Sequence, residues 1–466
     1  MLSKLSFTQL QQKALTPVNG TSIAIFRMGF GLIMLWEVFR YWRNGWISKY
    51  YIEPEFYFKY YGFEWIQPWE GEGMYVHFLV MGLLALLITV GAFYRISIIL
   101  FTLAFSYVFL LDQTRYLNHF YLVILFSCLL CVIPAHQTWS VDAWRRAKQS
   151  TPTLTMPSWS IWILRTQMEI MLLYAGIVKI NPDWLQLQPL KMWLAERADF
   201  PLGLGYLFTQ DWAIAVAAYG VIALHIIGAP LLLWQRTRLP VFCIYAAFHS
   251  LNHFVFSIGI FPWFTLFATL IFFDPHWPQQ LRQKLQNARP VSISTAVETI
   301  AVPATTRLRD RLILYVLAIW TVSQILIPLR HVLYPGNVSW TEEGHRFSWQ
   351  MKLRDKTGWA HFYVIQPGQQ QQIWLVTPDA YLTPKQNRKM TTRPDMLLQF
   401  AHYLAHRWKH DYAIDEVQVT ATVFVSLNGR PHSLLLDPNK DLSRVNRSLS
   451  NADWILPLNH SLPGKS

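Results

Sequence analysis

The stretch Ser22–Trp42, SIAIFRMGFGLIMLWEVFRYW, decides the architecture. It is apolar over the length an α-helix needs to cross a bilayer, about 20 residues. Eight more blocks of the same kind follow, at about 74–93, 96–111, 120–134, 161–180, 213–234, 239–260, 261–273 and 312–329. The first, second, fifth, sixth, seventh and ninth reach crossing length. The third, fourth and eighth are shorter, and read as steep crossings or as half-helices sheltered inside protein. The 466 residues are 53% apolar and 14% charged, against roughly a quarter charged in an ordinary soluble domain. That composition excludes intrinsic disorder and argues against a soluble globule.

A net charge of +13 would suggest nucleic acid in a soluble chain. Here much of the excess sits in short loops between apolar blocks, so no nucleic-acid partner is expected. Arg95, Arg145, Arg146, Lys148, Arg236, Arg238, Arg282 and Arg309 all fall on one side if the blocks cross in turn. Positive charge favours the cytoplasm, which predicts a cytoplasmic N-terminus and a C-terminal region outside. Short loops and a compact outer region favour a bacterial inner membrane over endoplasmic reticulum. The first block lacks a small-residue cleavage site and runs into Tyr41-Trp42-Arg43, so it does not read as a signal peptide. Cys128, Cys131 and Cys243 lie within apolar blocks and read as small buried hydrophobes.

Residues 335–466 differ in kind. Val417–Val425 alternates apolar and polar positions with many β-branched residues, and Leu427-Asn428-Gly429-Arg430 closes it with a turn signal. Phe347–Leu353, Phe362–Ile365 and Ile373–Thr377 are further strand candidates, and Met396–Trp408 has helical spacing. The expected fold is an α-helical polytopic membrane bundle of about nine helices followed by a small α+β exoplasmic domain. The expected domains are 1–333, including a basic cytoplasmic connector at 274–311, and 334–466.

Ionisable groups within a membrane are costly and usually mark a site or a structural pair. Arg27, Glu37 and Arg40 in the first block read as a pairing set or as snorkelling ends. Lys179, in AGIVKINPDW, stands at the outer end of the fifth block just before Pro182. It is either a snorkelling lysine or an amine desolvated in a pocket. In the second case burial disfavours the charged form, and a neutral amine can act as a general base. His119, His136, His249 and His253 cluster near block ends, with Asn252 between the last two. The His249/His253 spacing suits a metal, but no third ligand is evident nearby, so no metal is expected.

Several stretches together resemble the vitamin K-dependent γ-glutamyl carboxylase family. They are IAIFRMGFG at 23–31, YRIS at 94–97, YVFLLDQTRYLNHFYL at 107–122, HQTWSVD at 136–142, LLYAGIVKINPDW at 172–184, FHSLNHFVFSIGIF at 248–261, FSWQMKL at 347–353, RPDMLLQFAHYL at 393–404 and VFVSLNGRPHSLLLDP at 423–438. They occur in the family's order across most of the chain. The resemblance implies an integral membrane enzyme using vitamin K hydroquinone, O2 and CO2. In the family a lysine deprotonates the hydroquinone and oxygen adds to give a strong base. That base removes a γ-proton from glutamate, and CO2 captures the carbanion. Products are γ-carboxyglutamate and vitamin K epoxide. The base lysine matches Lys179, and a histidine implicated in forming the strong base matches His136. His119, His249 and Asn252 are candidates for contacting the cofactor. The expected partners are a glutamate-containing peptide or protein and the lipid bilayer. Animal members continue beyond the equivalent of residue 466 into a region that helps grip a propeptide, so the resemblance leaves propeptide-directed, processive carboxylation open.

The physics agrees with a quinol. Its hydroxyl has a pKa near that of tyrosine, about 10, so a weak base must work in a dry pocket, and water must be kept from a strong base. At 1.5 Å per residue the 161–180 block is about 30 Å long. This places His136 and Lys179 at opposite faces, unless the site lies deeper than these bounds or the 135–158 loop folds inward; otherwise the role of His136 does not carry over from the resemblance. Two other readings stand beside the carboxylase: a quinol epoxidase acting without protein carboxylation, and a non-enzymatic quinone- or lipid-binding membrane protein.

Overall fold

The computed structural model describes residues 7–148, 154–201, 203–285, 307–369 and 371–462. Nine apolar helices correspond to the nine blocks: Thr21–Arg43 (α1), Gly73–Val90 (α2), Tyr94–Leu111 (α3), Asn118–Val132 (α4), Trp159–Ile177 (α5), Asp211–Leu232 (α6), Arg238–Phe256 (α7), Phe261–Phe272 (α8) and Leu308–Leu333 (α9). Among the described residues six of them, α1, α2, α3, α6, α7 and α9, are long and apolar enough to cross a membrane. The count of about nine spans is therefore replaced by six candidates. The third block gains length because its helix begins at Tyr94 and runs 18 residues. α5 has 19 residues but is not among the six, since Arg165, Gln167 and Glu169 interrupt its apolar run. α4 and α8 are shorter.

Chain ends of helices follow local chemistry. Gly91 takes a left-handed φ of 68° and stops α2. After α5 the Asn181 side chain caps a new turn, accepting from the amides of Asp183 at 3.1 Å and Trp184 at 3.0 Å, with Pro182 at its first position. NPDW thus ends one helix and restarts the chain in a new direction.

Two short strands, Pro17–Asn19 (β1) and Thr155–Pro157 (β2), pair antiparallel at the N-terminal ends of α1 and α5. At the same level Arg27 donates to the carbonyls of Ala135 at 2.8 Å and Trp139 at 2.6 Å. Among the described residues no ion pair includes Arg27. Glu37 pairs instead with Arg40 at 2.6 Å, one turn away, and loop carbonyls accept from both terminal nitrogens of the buried Arg27 guanidinium.

The C-terminal region carries a four-stranded antiparallel sheet in the order β4-β3-β5-β6. Its strands are Lys356–Gln366 (β3), Gln372–Val376 (β4), Gln418–Leu427 (β5) and Ser433–Leu434 (β6). On β5 the residues Val419, Ala421, Val423, Val425 and Leu427 are all buried on one face, as period-two alternation requires. They pack against Pro394–Asp411 (α11), which follows the short Pro384–Met390 helix (α10) and contributes Leu397, Phe400, Ala401 and Leu404.

Phe347–Leu353 is not a strand. Phe347, Trp349 and Lys352 all adopt left-handed backbone, with φ of 63°, 54° and 52°, a conformation that costs energy for non-glycine residues. The segment is a loop that leaves its own domain and enters the helical core. Its Phe347 and Trp349 rings lie 5.0 and 5.1 Å from the Tyr121 ring of α4. The Phe347 amide donates to the Tyr116 hydroxyl at 2.7 Å. Burial here does not follow the alternation, since Ser348 and Gln350 are buried beside Trp349, and the partners are helices rather than neighbouring strands. Of the basic connector, Trp277–Leu285 is helical, and 286–306 lies outside the described residues.

Candidate active site

A cavity of about 660 Å³ opens among α5, α6, α7, α8 and the 347–353 loop, within the size range of small-molecule sites. Its wall is mostly aliphatic and aromatic, with a few polar groups: Lys179, His225, His249, Asn252 and Lys352. Lys179 stands in the turn after α5 and is only 5% exposed. Its amine donates to the Ala175 carbonyl at 2.8 Å and to the Met351 carbonyl at 3.3 Å. It sits 5.2 Å from the centre of the Trp184 ring. None of the ion pairs formed among the described residues includes it. The lysine therefore has carbonyl acceptors and no carboxylate to hold its proton.

His225 went unnoticed in the sequence, where it is a lone histidine in ALHIIGAP. It falls in a π-helical turn, Leu224–Gly228, within α6. Such turns widen a helix locally and recur at functional sites. The turn brings the buried His225 ring to the cavity, its Nδ1 held by the Val221 carbonyl at 2.7 Å. α5 approaches this turn closely because Gly176 has no side chain: a Cβ there would come within 2.8 Å of Ile226 Cγ1 and 2.9 Å of His225 Cβ. Gly176, three residues before Lys179, and His225, three residues before Gly228-Ala229-Pro230, are the signal that could have found it.

His249 and Asn252 both line the cavity. His249 is buried, packs against Tyr245 with ring centres 6.0 Å apart, and has no hydrogen-bond partner at Nε2. His249 belongs to the cavity wall, and an unpaired buried polar atom is costly unless a ligand uses it. His253 is turned away, its Nδ1 held by the Ile258 carbonyl at 2.9 Å. Lys352, also missed, comes from the inserted loop and places its amine 4.8 Å from the Trp193 ring centre and 4.7 Å from that of Phe256.

His119 and His136 do not line this cavity. His119, at the start of α4, packs on Phe261 with ring centres 5.7 Å apart. His136 stacks on Tyr94 at 5.5 Å, in the loop that Arg27 grips beside β2, while Lys179 follows the opposite end of α5. The 135–148 stretch does not fold inward toward Lys179. Its helix Val141–Ala147 is capped by Ser140, and Asp142 accepts from the Phe93 amide at 3.0 Å. Among the described residues no group of three or more His, Cys, Asp or Glu is arranged to hold a metal ion.

Six helices of membrane-crossing length among the described residues, with a sheet region whose loop joins the wall of an apolar cavity, are the architecture of a polytopic membrane protein. The HTTM domain family model matches residues 15–277. The model of the vitamin K-dependent gamma-carboxylase lumenal domain matches residues 309–461. The chain belongs to the vitamin K-dependent gamma-carboxylase family. No solved structure matches it.

Proposed function

We propose that this protein couples oxygenation of vitamin K hydroquinone to its epoxide with γ-carboxylation of glutamate side chains, in a membrane that leaves its sheet domain on the outer side. The observation that carries the reading is the Lys179 amine, buried at the cavity wall between two carbonyls with no carboxylate partner. An amine so placed can take the proton of a weakly acidic hydroxyl, and the resulting ammonium stabilises the oxyanion beside it.

The cavity fits the implied cofactor: it is roomy, apolar, and offers an amine, an orphaned imidazole nitrogen at His249 and the Asn252 amide. When bound, vitamin K hydroquinone would supply, with O2, the driving force for removing the glutamate γ-proton, and CO2 would complete the new carboxyl group. Lys179 receives the hydroxyl proton at Nζ. His249 Nε2 and Asn252 orient the polar edge of the ring. The apolar walls from α6 and α7 keep water out, which a strong base requires. The inserted loop carries Met351 and Lys352 to the rim and ties the site to the outer domain, where a glutamate-containing peptide would arrive. His136 lies outside the cavity lining, and the reading assigns it no step there.

The test uses the purified chain in detergent with vitamin K hydroquinone, labelled bicarbonate and a glutamate peptide. Label in the peptide together with epoxide is the expected result. Epoxide without label identifies a quinol oxygenase instead. No epoxide, or epoxide formation indifferent to Lys179→Ala, overturns the assignment.

A further inference from the structure

The helical core holds a second, smaller cavity that the reaction described above leaves unused. It lies among α1, α2, α3 and the start of α4 and has a volume of about 20 Å³. A water needs about 10–15 Å³ of such space. One molecule of two or three heavy atoms therefore fits, and a quinone ring or a peptide does not. Every residue of the wall is buried. Most are aromatic or aliphatic, and the polar ones are Glu37, Tyr41, Tyr51 and Arg115. Glu37 is engaged by Arg40. The Arg115 guanidinium lies 3.3 Å from the centre of the Tyr50 ring, yet its Nε and Nη1 find no acceptor among the described residues. Phe120 also belongs to this wall. Its neighbour His119 has its ring centre 4.7 Å from that of Phe120 and 5.7 Å from that of Phe261. Phe261 in turn lines the Lys179 cavity. A run of three neighbouring rings thus joins the wall of one cavity to the wall of the other.

A buried, largely apolar space of this size suits a small neutral molecule. The proposed reaction consumes two of these, O2 and CO2. They differ in what they can do with a donor. The oxygens of CO2 accept hydrogen bonds, and O2 accepts them poorly. A buried N–H without an acceptor is costly, so Arg115 favours the gas that can accept. We infer that this cavity is a docking site for CO2, held one layer of rings away from the Lys179 cavity. The choice of gas rests on the carboxylase reading. The docking space stands on the wall itself. Such a site answers a conflict in the chemistry. The carbanion must meet CO2 before it meets a proton, and water must stay out of the reaction chamber. A molecule stored beside the chamber raises the local supply of CO2 without opening the chamber to solvent.

The experiment uses the full-length chain in detergent. Infrared spectra are recorded under isotope-labelled CO2, whose stretching band shifts and narrows when the molecule leaves water for a fixed site. A shifted band that saturates at a single molecule per chain is expected. Val108 lines the cavity from α3, and Val108→Phe, which fills the space, should abolish the band. The same variant should raise the bicarbonate concentration for half-maximal labelling of a glutamate peptide at least about fivefold, the loss of a weak docking step. The KM for vitamin K hydroquinone should change far less. Val108→Leu repeats both measurements if the phenylalanine variant fails to fold. A parent without the shifted band holds water alone in the cavity, and that overturns the inference. So does an unchanged bicarbonate requirement in both variants, or a raised requirement for O2 in its place. A band in a parent that labels no peptide removes the carboxylase reading and leaves the docking site. Labelled peptide from a parent without the band does the reverse.

Discussion

Asp183 and Arg430 form a buried two-point ion pair, with Oδ1 2.7 Å from Nη2 and Oδ2 2.7 Å from Nη1. Asp183 is four residues beyond Lys179 in the NPDW turn, and Arg430 closes the turn that ends β5. The neighbouring Asn428 donates to Asp183 at 2.7 Å and accepts from the Asp355 amide at 2.8 Å. One carboxylate therefore fastens the sheet domain to the bundle beside the loop that meets the Lys179 amine.

Removing one partner should be severe. Arg430→Ala strands a buried carboxylate, a loss of about 3–5 kcal/mol, and Asp183→Asn strands the guanidinium. Thermal unfolding in detergent measures each. The double variant Asp183→Leu with Arg430→Leu should cost less than the sum by about 1 kcal/mol or more. Strict additivity would show that the pair does not couple the two parts.

Lys179→Ala should abolish epoxide formation, and Lys179→Arg should do so nearly as well. A guanidinium keeps its positive charge at any working pH and cannot receive a proton. A fall of at least about 100-fold in kcat is expected for both, with the unfolding midpoint of the arginine variant close to that of the parent. An active arginine variant would reduce Lys179 to a positional role.

Much of this was legible in the sequence, and the reasons differ by feature. Long apolar runs are a local property, so each of the six candidate crossings among the described residues falls on one of the nine blocks. Which of them qualify as crossings depended on the true ends of α3 and on polar residues within α5. The β5 alternation survived because one face is core and the other is not. Lys179, His249 and Asn252 were singled out as polar residues in apolar surroundings, and all three line one cavity. His225 escaped because a lone histidine in an apolar run carries no mark of the π turn that presents it. The 347–353 loop was misread because its residues alternate as a strand's do, whereas left-handed backbone at Phe347, Trp349 and Lys352 breaks the pleat and buries Ser348 and Gln350 beside Trp349. Lys352 followed it out of view. Arg27 found carbonyls rather than Glu37, a choice fixed by a loop more than a hundred positions along the chain.

Gly176 tests the contact that sets His225. Gly176→Val drives a branched side chain against Ile226 and the His225 Cβ, which lie 2.8 and 2.9 Å from even a methyl carbon. Overpacking of this kind costs about 1–3 kcal/mol. The π turn should shift, and KM for the quinol should rise more than kcat falls. Gly176→Ala should show the same direction with smaller size. If both variants match the parent in KM, His225 has no part in seating the ring.

Glu342 tests the outer domain. It is buried among cations, with Arg354 at 2.9 Å and Lys356 at 3.4 Å. Burial alone would raise its carboxyl, but the charges of Arg354, Lys356 and Arg393 outweigh that and hold it below the ordinary value of 4.5. Because the folded form binds its proton more weakly than the unfolded one, the stabilisation is complete above about pH 4.5 and is lost as pH falls through the lower folded value. Burial in turn pushes the Lys356 amine down to about 8, so below that pH the cluster carries excess positive charge that this carboxylate helps to offset. Glu342→Gln should therefore destabilise the protein by about 3 kcal/mol at pH 7, with its unfolding midpoint changing less between pH 5 and pH 3 than that of the parent. Equal acid sensitivity in both proteins would mean that the carboxylate is not charged in the folded cluster.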